Sequence, residues 1–350
     1  MTENKERIVL DVAYQPQERT NRNTTAIMLD VMIALSPSIV VAVLQYGAYP
    51  LAVILVSMIS AVFFEWGYRK LMHKTNTIGD LSACVTGMLL AMVLPAGAPL
   101  WIPVIGTFFS IVVVKQLYGG IGKNFLNPAL AGRAFLLASY STIMASWAVP
   151  NGLASKVDAT TMATPLSYLY SGAAMPKYFT AKAILGGSMP GCIGELSVIA
   201  VLMGGAYLLI MGVISWQIPT AYIGTTAVLT LIFGHEGYSN VSWMLYNLSA
   251  GGMLFAAFFM ATDYATSPVT PNGQLLYGAG CGLITVLIRY FGSYPEGATY
   301  AVLIMNLCAW AIDKAFRRRQ FGVSKEDIAK AKAEAKAAKK AAKAPAKEAE

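Results

Sequence analysis

Apolar runs broken by short polar interruptions fill the chain from about residue 24 to residue 320. Several approach the ~20 residues that an α-helix needs to cross a bilayer. Ten segments can be drawn, near 26–46, 50–67, 80–94, 99–117, 125–146, 195–213, 217–233, 243–261, 275–291 and 297–313. The third stops at Pro95, and the fifth opens on Asn127-Pro128, where the proline breaks or kinks the first turn. The pattern predicts an all-α polytopic membrane protein of about ten transmembrane helices. The longest polar break is 147–194, and it holds the most hydroxyl-rich stretch beside a carboxylate, Asp158-Ala-Thr-Thr161-Met-Ala163-Thr164-Pro165-Leu166.

Charge then sets an orientation. Lys5, Arg7, Arg19 and Arg22 precede the first segment, and Arg69, Lys70 and Lys74 follow the second. Lys115 and Lys123 follow the fourth, and Lys314, Arg317, Arg318 and Arg319 follow the tenth. The breaks at 47–49, 95–98, 234–242 and 292–296 contain no Lys or Arg. Basic loops stay in the cytoplasm, so both termini are expected there and the loop 147–194 on the external face. The division expected is a cytoplasmic segment 1–24, a membrane domain 25–320 and an Ala/Lys-rich cytoplasmic tail 321–350. Residues 1–22 lack an apolar run, so no cleavable signal peptide is expected.

Composition agrees. The chain is 56% hydrophobic and 13% charged, against roughly a quarter charged in soluble domains. A net charge of +8 would suggest nucleic acid in a soluble protein, but here the basic residues flank apolar segments and no nucleic-acid partner is expected. The expected surroundings are membrane lipid, in a bacterial or archaeal cytoplasmic membrane. A faint echo links the two halves: Asp80-Leu-Ser-Ala opens the third segment and Asn247-Leu-Ser-Ala lies in the eighth. Two five-segment halves of opposite orientation would form inverted repeats, an arrangement also found in solute transporters.

Candidate chemistry is sparse. Cys84, Cys192, Cys281 and Cys308 form no CxxC pair, so no metal site is expected and small buried hydrophobes are the default. His73 and His235 fall in loops expected on opposite sides. Asp30, Glu65, Arg133, Asp263, Arg289 and Asp313 lie within or beside apolar segments, where an uncompensated charge is costly. A structural ion pair or a snorkelling side chain is the bland account, favoured for Glu65, Arg289 and Asp313. Arg133 is a candidate partner for a phosphate or for a carboxylate on another span. Asp263 and Asp30 are candidates for an ion pathway. In the hydroxyl-rich loop, small Ala159 and Ala163 leave room around Thr164, and Pro165 restricts the backbone beside it.

That loop carries a resemblance. Asp158-x-x-Thr161-x-Ala163-Thr164 resembles the motif read by the flavin transferase that joins FMN, through its phosphate, to the final threonine. Met162 stands where a small residue is usual. Asn124-Phe-Leu-Asn127-Pro128-Ala, Phe258-Phe-Met-Ala-Thr262-Asp263 and Gly292-Ser-Tyr-Pro-Glu-Gly are similar to one family of membrane proteins. That family joins the D subunit of the Rnf complex to the B subunit of the sodium-translocating NADH:quinone reductase. The short N-terminal region and the Ala-Thr-Pro-Leu continuation favour the Rnf side. The resemblance implies covalent FMN on Thr164, with Asp158, Thr161 and Ala163 as recognition elements. It also implies electron relay from ferredoxin towards NAD coupled to Na⁺ or H⁺ movement, and partner subunits bearing flavin and iron–sulfur groups. A non-covalent riboflavin is consistent with it.

Overall fold

Asn23 begins the first helix by accepting from the Ala26 backbone N–H at 2.8 Å, satisfying one of the donors that a helix start leaves free. Helix α1 (Thr24–Tyr46) runs from there to Gly47, whose φ of 74° ends it. The computed structural model describes residues 23–151, 162–170, 181–234, 238–292 and 296–316. Asp158, Thr161, His235, the N-terminal segment and the Ala/Lys-rich tail lie outside the described residues.

After α2 (Tyr49–Leu71) and a 3₁₀ turn (Ile78–Asp80), Leu81 takes a left-handed φ of 60°. Asp80 supports this turn by accepting from the Ser82 backbone N–H at 2.8 Å. Then come α3 (Ser82–Met92), α4 (Trp101–Gln116), α5 (Pro128–Ser139) and α6 (Ser141–Met144). From Phe109 onward α4 is wound as π-helix. Short α7 (Pro165–Tyr170) and α8 (Ala181–Gly186) precede α9 (Val198–Ile210) and α10 (Gln217–Phe233). The chain continues through α11 (Asn240–Ser249), α12 (Met253–Met260), α13 (Pro271–Phe291) and α14 (Ala298–Ala315).

Each apolar segment read from the sequence contains helix, but two are divided. The fifth splits into α5 and α6, and the eighth into α11 and α12, which meet at a 60° bend. Gly251 and Gly252 cause that bend, with φ of 75° and 65°. A break inside apolar surroundings strands backbone carbonyls, and Arg289 answers them. Its guanidinium donates to Asn247 O at 2.6 Å and to Ala250 O at 3.1 Å. Among the described residues α1, α2 and α13 are long and apolar enough to cross a membrane, and the bent pair α11–α12 is a fourth candidate.

Small residues let these helices approach. A Cβ on Gly278 would lie 2.7 Å from Ile218 O, and one on Gly282 2.9 Å from Tyr222 O, so α13 seats on α10 through a Gly-x-x-x-Gly face. Gly204 brings α9 onto α1 and Gly87 brings α3 onto α2 in the same manner. Elsewhere α2 packs on α4, α10 on α11, α4 on α5, α13 on α14, and α5 on α14. Large apolar side chains such as Leu44, Ile59, Ile210, Phe291 and Trp310 point outward and are largely exposed, as lipid-facing positions are.

Candidate functional site

A cavity of about 120 Å³ opens where α1, α3, α5 and the end of α12 converge. Its wall is mostly apolar, with Lys115, Asn124, Asn127, Thr262 and Asp263 as polar points. Asn127 is held by its own role as helix cap: it accepts from the Ala129 and Leu130 N–H groups and donates to Met260 O at 3.1 Å. Lys115 reaches back to Glu65 at 2.7 Å and to the Ser82 hydroxyl at 2.7 Å. Glu65 also accepts from Thr77 at 2.9 Å, so its charge is answered within the protein. Asp263 lies beyond the end of α12 and accepts from the Thr266 hydroxyl at 3.1 Å. Burial raises its carboxyl above the usual carboxylate range; hydrogen bonds from Thr266 and the Ala265 backbone, then the charge of Lys115, oppose the shift.

A second polar region surrounds Thr164. Thr164 is 5% exposed, and its hydroxyl is folded inward. The reason is local: Thr164 precedes α7, and its Oγ1 accepts from the Ser167 N–H at 3.3 Å. Ala163 beside it is exposed. Thr164 lines a cavity of about 30 Å³ with Gly191, Glu195, Ser249, Ala250 and Gly251.

Glu195 also lines a smaller space of about 10 Å³ with Arg133, Cys192 and Thr299. There Arg133 pairs with Glu296 and donates to the Cys192 sulfur at 3.2 Å. The Cys192 thiol donates to Val93 O at 3.3 Å, and the Cys192 N–H to Glu195 Oε1 at 2.9 Å. Glu195 lies in the loop ahead of α9 and is partly buried. Tyr46, at the far end of α1 from the first cavity, faces Glu195 and donates to Ala148 O at 3.3 Å. Met28, in the wall of the first cavity, and Tyr46 are roughly 27 Å apart along a helix rising ~1.5 Å per residue.

Against this geometry stand the comparisons with known proteins. The family model described as "NQR2, RnfD, RnfE family" matches residues 11–322. The chain belongs to that family. The D subunit of the Na⁺-translocating ferredoxin:NAD⁺ oxidoreductase complex of Acetobacterium woodii is 45% identical over 319 residues, covering 90% of this chain and 96% of the relative. The proton-translocating counterpart from Clostridium ljungdahlii is 39% identical over 327 residues, covering 91% and 97%. The D subunit of the ion-translocating oxidoreductase complex of Shewanella amazonensis is 36% identical over 342 residues, covering 89% and 97%.

In this NQR2/RnfD/RnfE member, Asp263 falls in the wall of the larger cavity, whereas Asp30 does not. Asp30 sits on α1 and accepts from the Tyr207 hydroxyl at 3.1 Å. Arg133 is paired with a carboxylate, but that carboxylate comes from the loop before α14 and not from another span. Arg289 and Asp313 serve the backbone, Asp313 by accepting from the Val269 N–H at 3.0 Å. Sequence patterning misses Cys192, Glu195 and Glu296 as a group. Glu195 stands at the edge of an apolar segment and Glu296 within Gly292-Ser-Tyr-Pro-Glu-Gly, but nothing in the spacing joins residues so far apart.

Proposed function

We propose that this chain is the membrane-embedded D subunit of an Rnf-type ion-translocating ferredoxin:NAD⁺ oxidoreductase, and that it relays electrons across the membrane while Na⁺ or H⁺ moves. The observation that carries this is likeness over nine-tenths of the chain to relatives named as the D subunits of such complexes. On this reading the partners are the other Rnf subunits, which bear flavin and iron–sulfur groups, and the flavin transferase. The relatives are named for Na⁺ and for protons alike, so the reading covers either ion.

Thr164 is the proposed attachment point for FMN through a phosphoester. Its support is the motif ending at Thr164, together with a side chain that borders a cavity walled by Gly191, Ala250 and Gly251. Those residues leave space at the linkage atom, and exposed Ala163 leaves space outside it. Bound there, FMN would supply a carrier able to take up and release electrons. Thr164 would hold it, and the α7 turn would fix the angle of departure. Asp158, Thr161 and Ala163 are proposed to be what the transferase reads. The cavity beside Asp263, apolar with a few convergent polar groups, suits a flat aromatic ligand, and a non-covalent riboflavin is proposed for it. Its wall and Tyr46 mark opposite ends of α1, so the two sites would span about one bilayer core of ~30 Å.

The same reading takes all ten apolar segments as crossings, places 147–194 outside and puts both termini in the cytoplasm of a bacterial or archaeal cell. Packing favours two inverted repeats. Helix α2 meets α3 and α4 as α10 meets α11 and α13, α4 meets α5 as α13 meets α14, and α1–α9 and α5–α14 pair corresponding members of the halves.

The test is covalent flavin itself. Protein made with its transferase should give a fluorescent band on a denaturing gel, with the FMN mass on the peptide holding Thr164. Thr164→Val removes the oxygen that the ester needs and should darken the band, while Thr164→Ser retains some fluorescence. Valine also removes the α7 cap, a loss of about 1 kcal/mol, so the dark protein should still insert and accumulate. Fluorescence persisting in Thr164→Val, or mass found on Thr160 or Thr161, would show the assignment to be wrong.

A further inference from the structure

Behind the Thr164 cavity, two carboxylates stand against one guanidinium. Arg133 pairs with Glu296, while Glu195 is held nearby through the Cys192 backbone N–H, its carboxylate within 4.8 Å of that of Glu296. Arg133 and Cys192 are buried, and the Glu296 side chain is 13% exposed. The titratable groups facing Glu195 are Arg133 of α5, Cys192 and Glu296 of the loops, and Tyr46 of α1. Among these, Arg133 is the one cation. If both carboxylates were ionised, the cluster would carry one uncompensated negative charge beside the buried Arg133 and Cys192, with Glu195 and Glu296 themselves only partly exposed.

Two further groups point to something held there. Thr299 is 1% exposed, its Oγ1 has no hydrogen-bond partner among the described residues, and it borders the same small cavity as Arg133 and Glu195. Arg133 Nε is likewise buried without a partner. A buried hydroxyl or N–H left unpaired is costly, so each calls for a partner. The cavity of about 10 Å³ matches the ~10–15 Å³ that one water requires, and it is polar enough to keep one.

We propose that Glu195 is a proton-binding site: it carries the extra proton of the cluster, Glu296 stays ionised against Arg133, and a water in the Thr299 cavity links the group. The site faces the Thr164 cavity, because Glu195 lines both spaces. A neutral Glu195 also removes the charge that would oppose a phosphate ester on Thr164, a consequence that rests on the functional reading above. A metal is the competing occupant, since Cys192, Glu195 and Glu296 offer atoms within 4.8 Å of one another. Arg133 disfavours it by filling the cation's place with a guanidinium.

Infrared spectroscopy of the purified protein, titrated with pH, tests the proposal. The expected result is a protonated carboxylic acid carbonyl band at neutral pH, shifted in D₂O and by ¹³C-glutamate labelling of the unmutated protein. Glu195→Gln should remove it. In Glu296→Gln, Arg133 is freed to pair with Glu195, so the band should persist only to a distinctly lower pH. A merely structural role for Glu296 would not move that titration. Thr164→Val should keep the band even when its gel band is dark, which separates failure of the flavin assignment from failure of this site. Absence of a glutamate band in unmutated protein overturns the proposal even should the variants not fold. So does a band that survives Glu195→Gln, an unchanged titration in Glu296→Gln, or stoichiometric bound metal lost in Glu195→Gln.

Discussion

Burial raises the Asp263 carboxyl, so the folded protein holds a proton there that the unfolded chain has already released. The folded state therefore binds more protons between the ordinary carboxylate value and the raised one, and stability falls as pH climbs through that interval. The contribution is fully present below the unfolded value and gone above the folded one. Asp263→Asn should flatten this part of the profile of thermal unfolding midpoint against pH in detergent; an unchanged slope would mean that another group is responsible. On the functional side the same substitution should impair coupled turnover while leaving the flavin proposed on Thr164 in place, and wild-type coupling would make Asp263 structural. Asp263 was legible because a carboxylate next to an apolar run is conspicuous. Glu195, Cys192 and Glu296 were not, because their meaning depends on a loop folding back to meet α5 and the start of α14. Arg133 could be recognised as needing an anion, but its partner lies 163 residues away in sequence.

Helices were readable from hydrophobic runs because lipid and core both reward apolar side chains. Where they break was less readable. Gly251-Gly252 sits among apolar residues, and a Gly pair alone does not distinguish a bend from close packing, which is what Gly278 and Gly282 provide. The π winding of α4 after Phe109 has no sequence signal that we can name. The two glycine roles separate under mutation. Gly282→Leu forces side-chain atoms into the α10 backbone and should lower stability by about 1–3 kcal/mol, read as a lower unfolding midpoint in detergent. Arg289→Met removes the donor that serves the carbonyls of Asn247 and Ala250 at the α11–α12 bend. Unanswered carbonyls in an apolar setting should cost about 2–4 kcal/mol and accelerate proteolysis between α11 and α12. A near-neutral Arg289→Met would mean that the bend is satisfied some other way.

At the scale of the whole molecule, the two polar regions lie near opposite ends of α1, and function depends on which end faces the cytoplasm. Lys and Arg flank the segment ends near Arg69, Lys115 and Lys314, on the side of the Asp263 cavity, where Lys115 itself forms part of the wall. The Thr164 end has basic-free breaks at 47–49 and 95–98, and Tyr49 donates from there to Ala98 O at 3.0 Å. This asymmetry favours Thr164 outside, but the deduction depends on every apolar segment before it being a crossing. Helix α3, at 11 residues, is the fragile member, since it is too short to cross alone by the ~20-residue rule. Its non-helical continuation through Val93-Leu94-Pro95 is buried in protein, where such backbone at membrane depth is tolerated. A cysteine introduced at exposed Asn151, compared with unmutated protein to account for exposed Cys308, reports the outcome. An impermeant reagent should label Asn151→Cys in intact cells. Labelling only after lysis would make α3 a re-entrant segment, move Thr164 to the cytoplasm, and leave the relay with both polar regions to be placed anew.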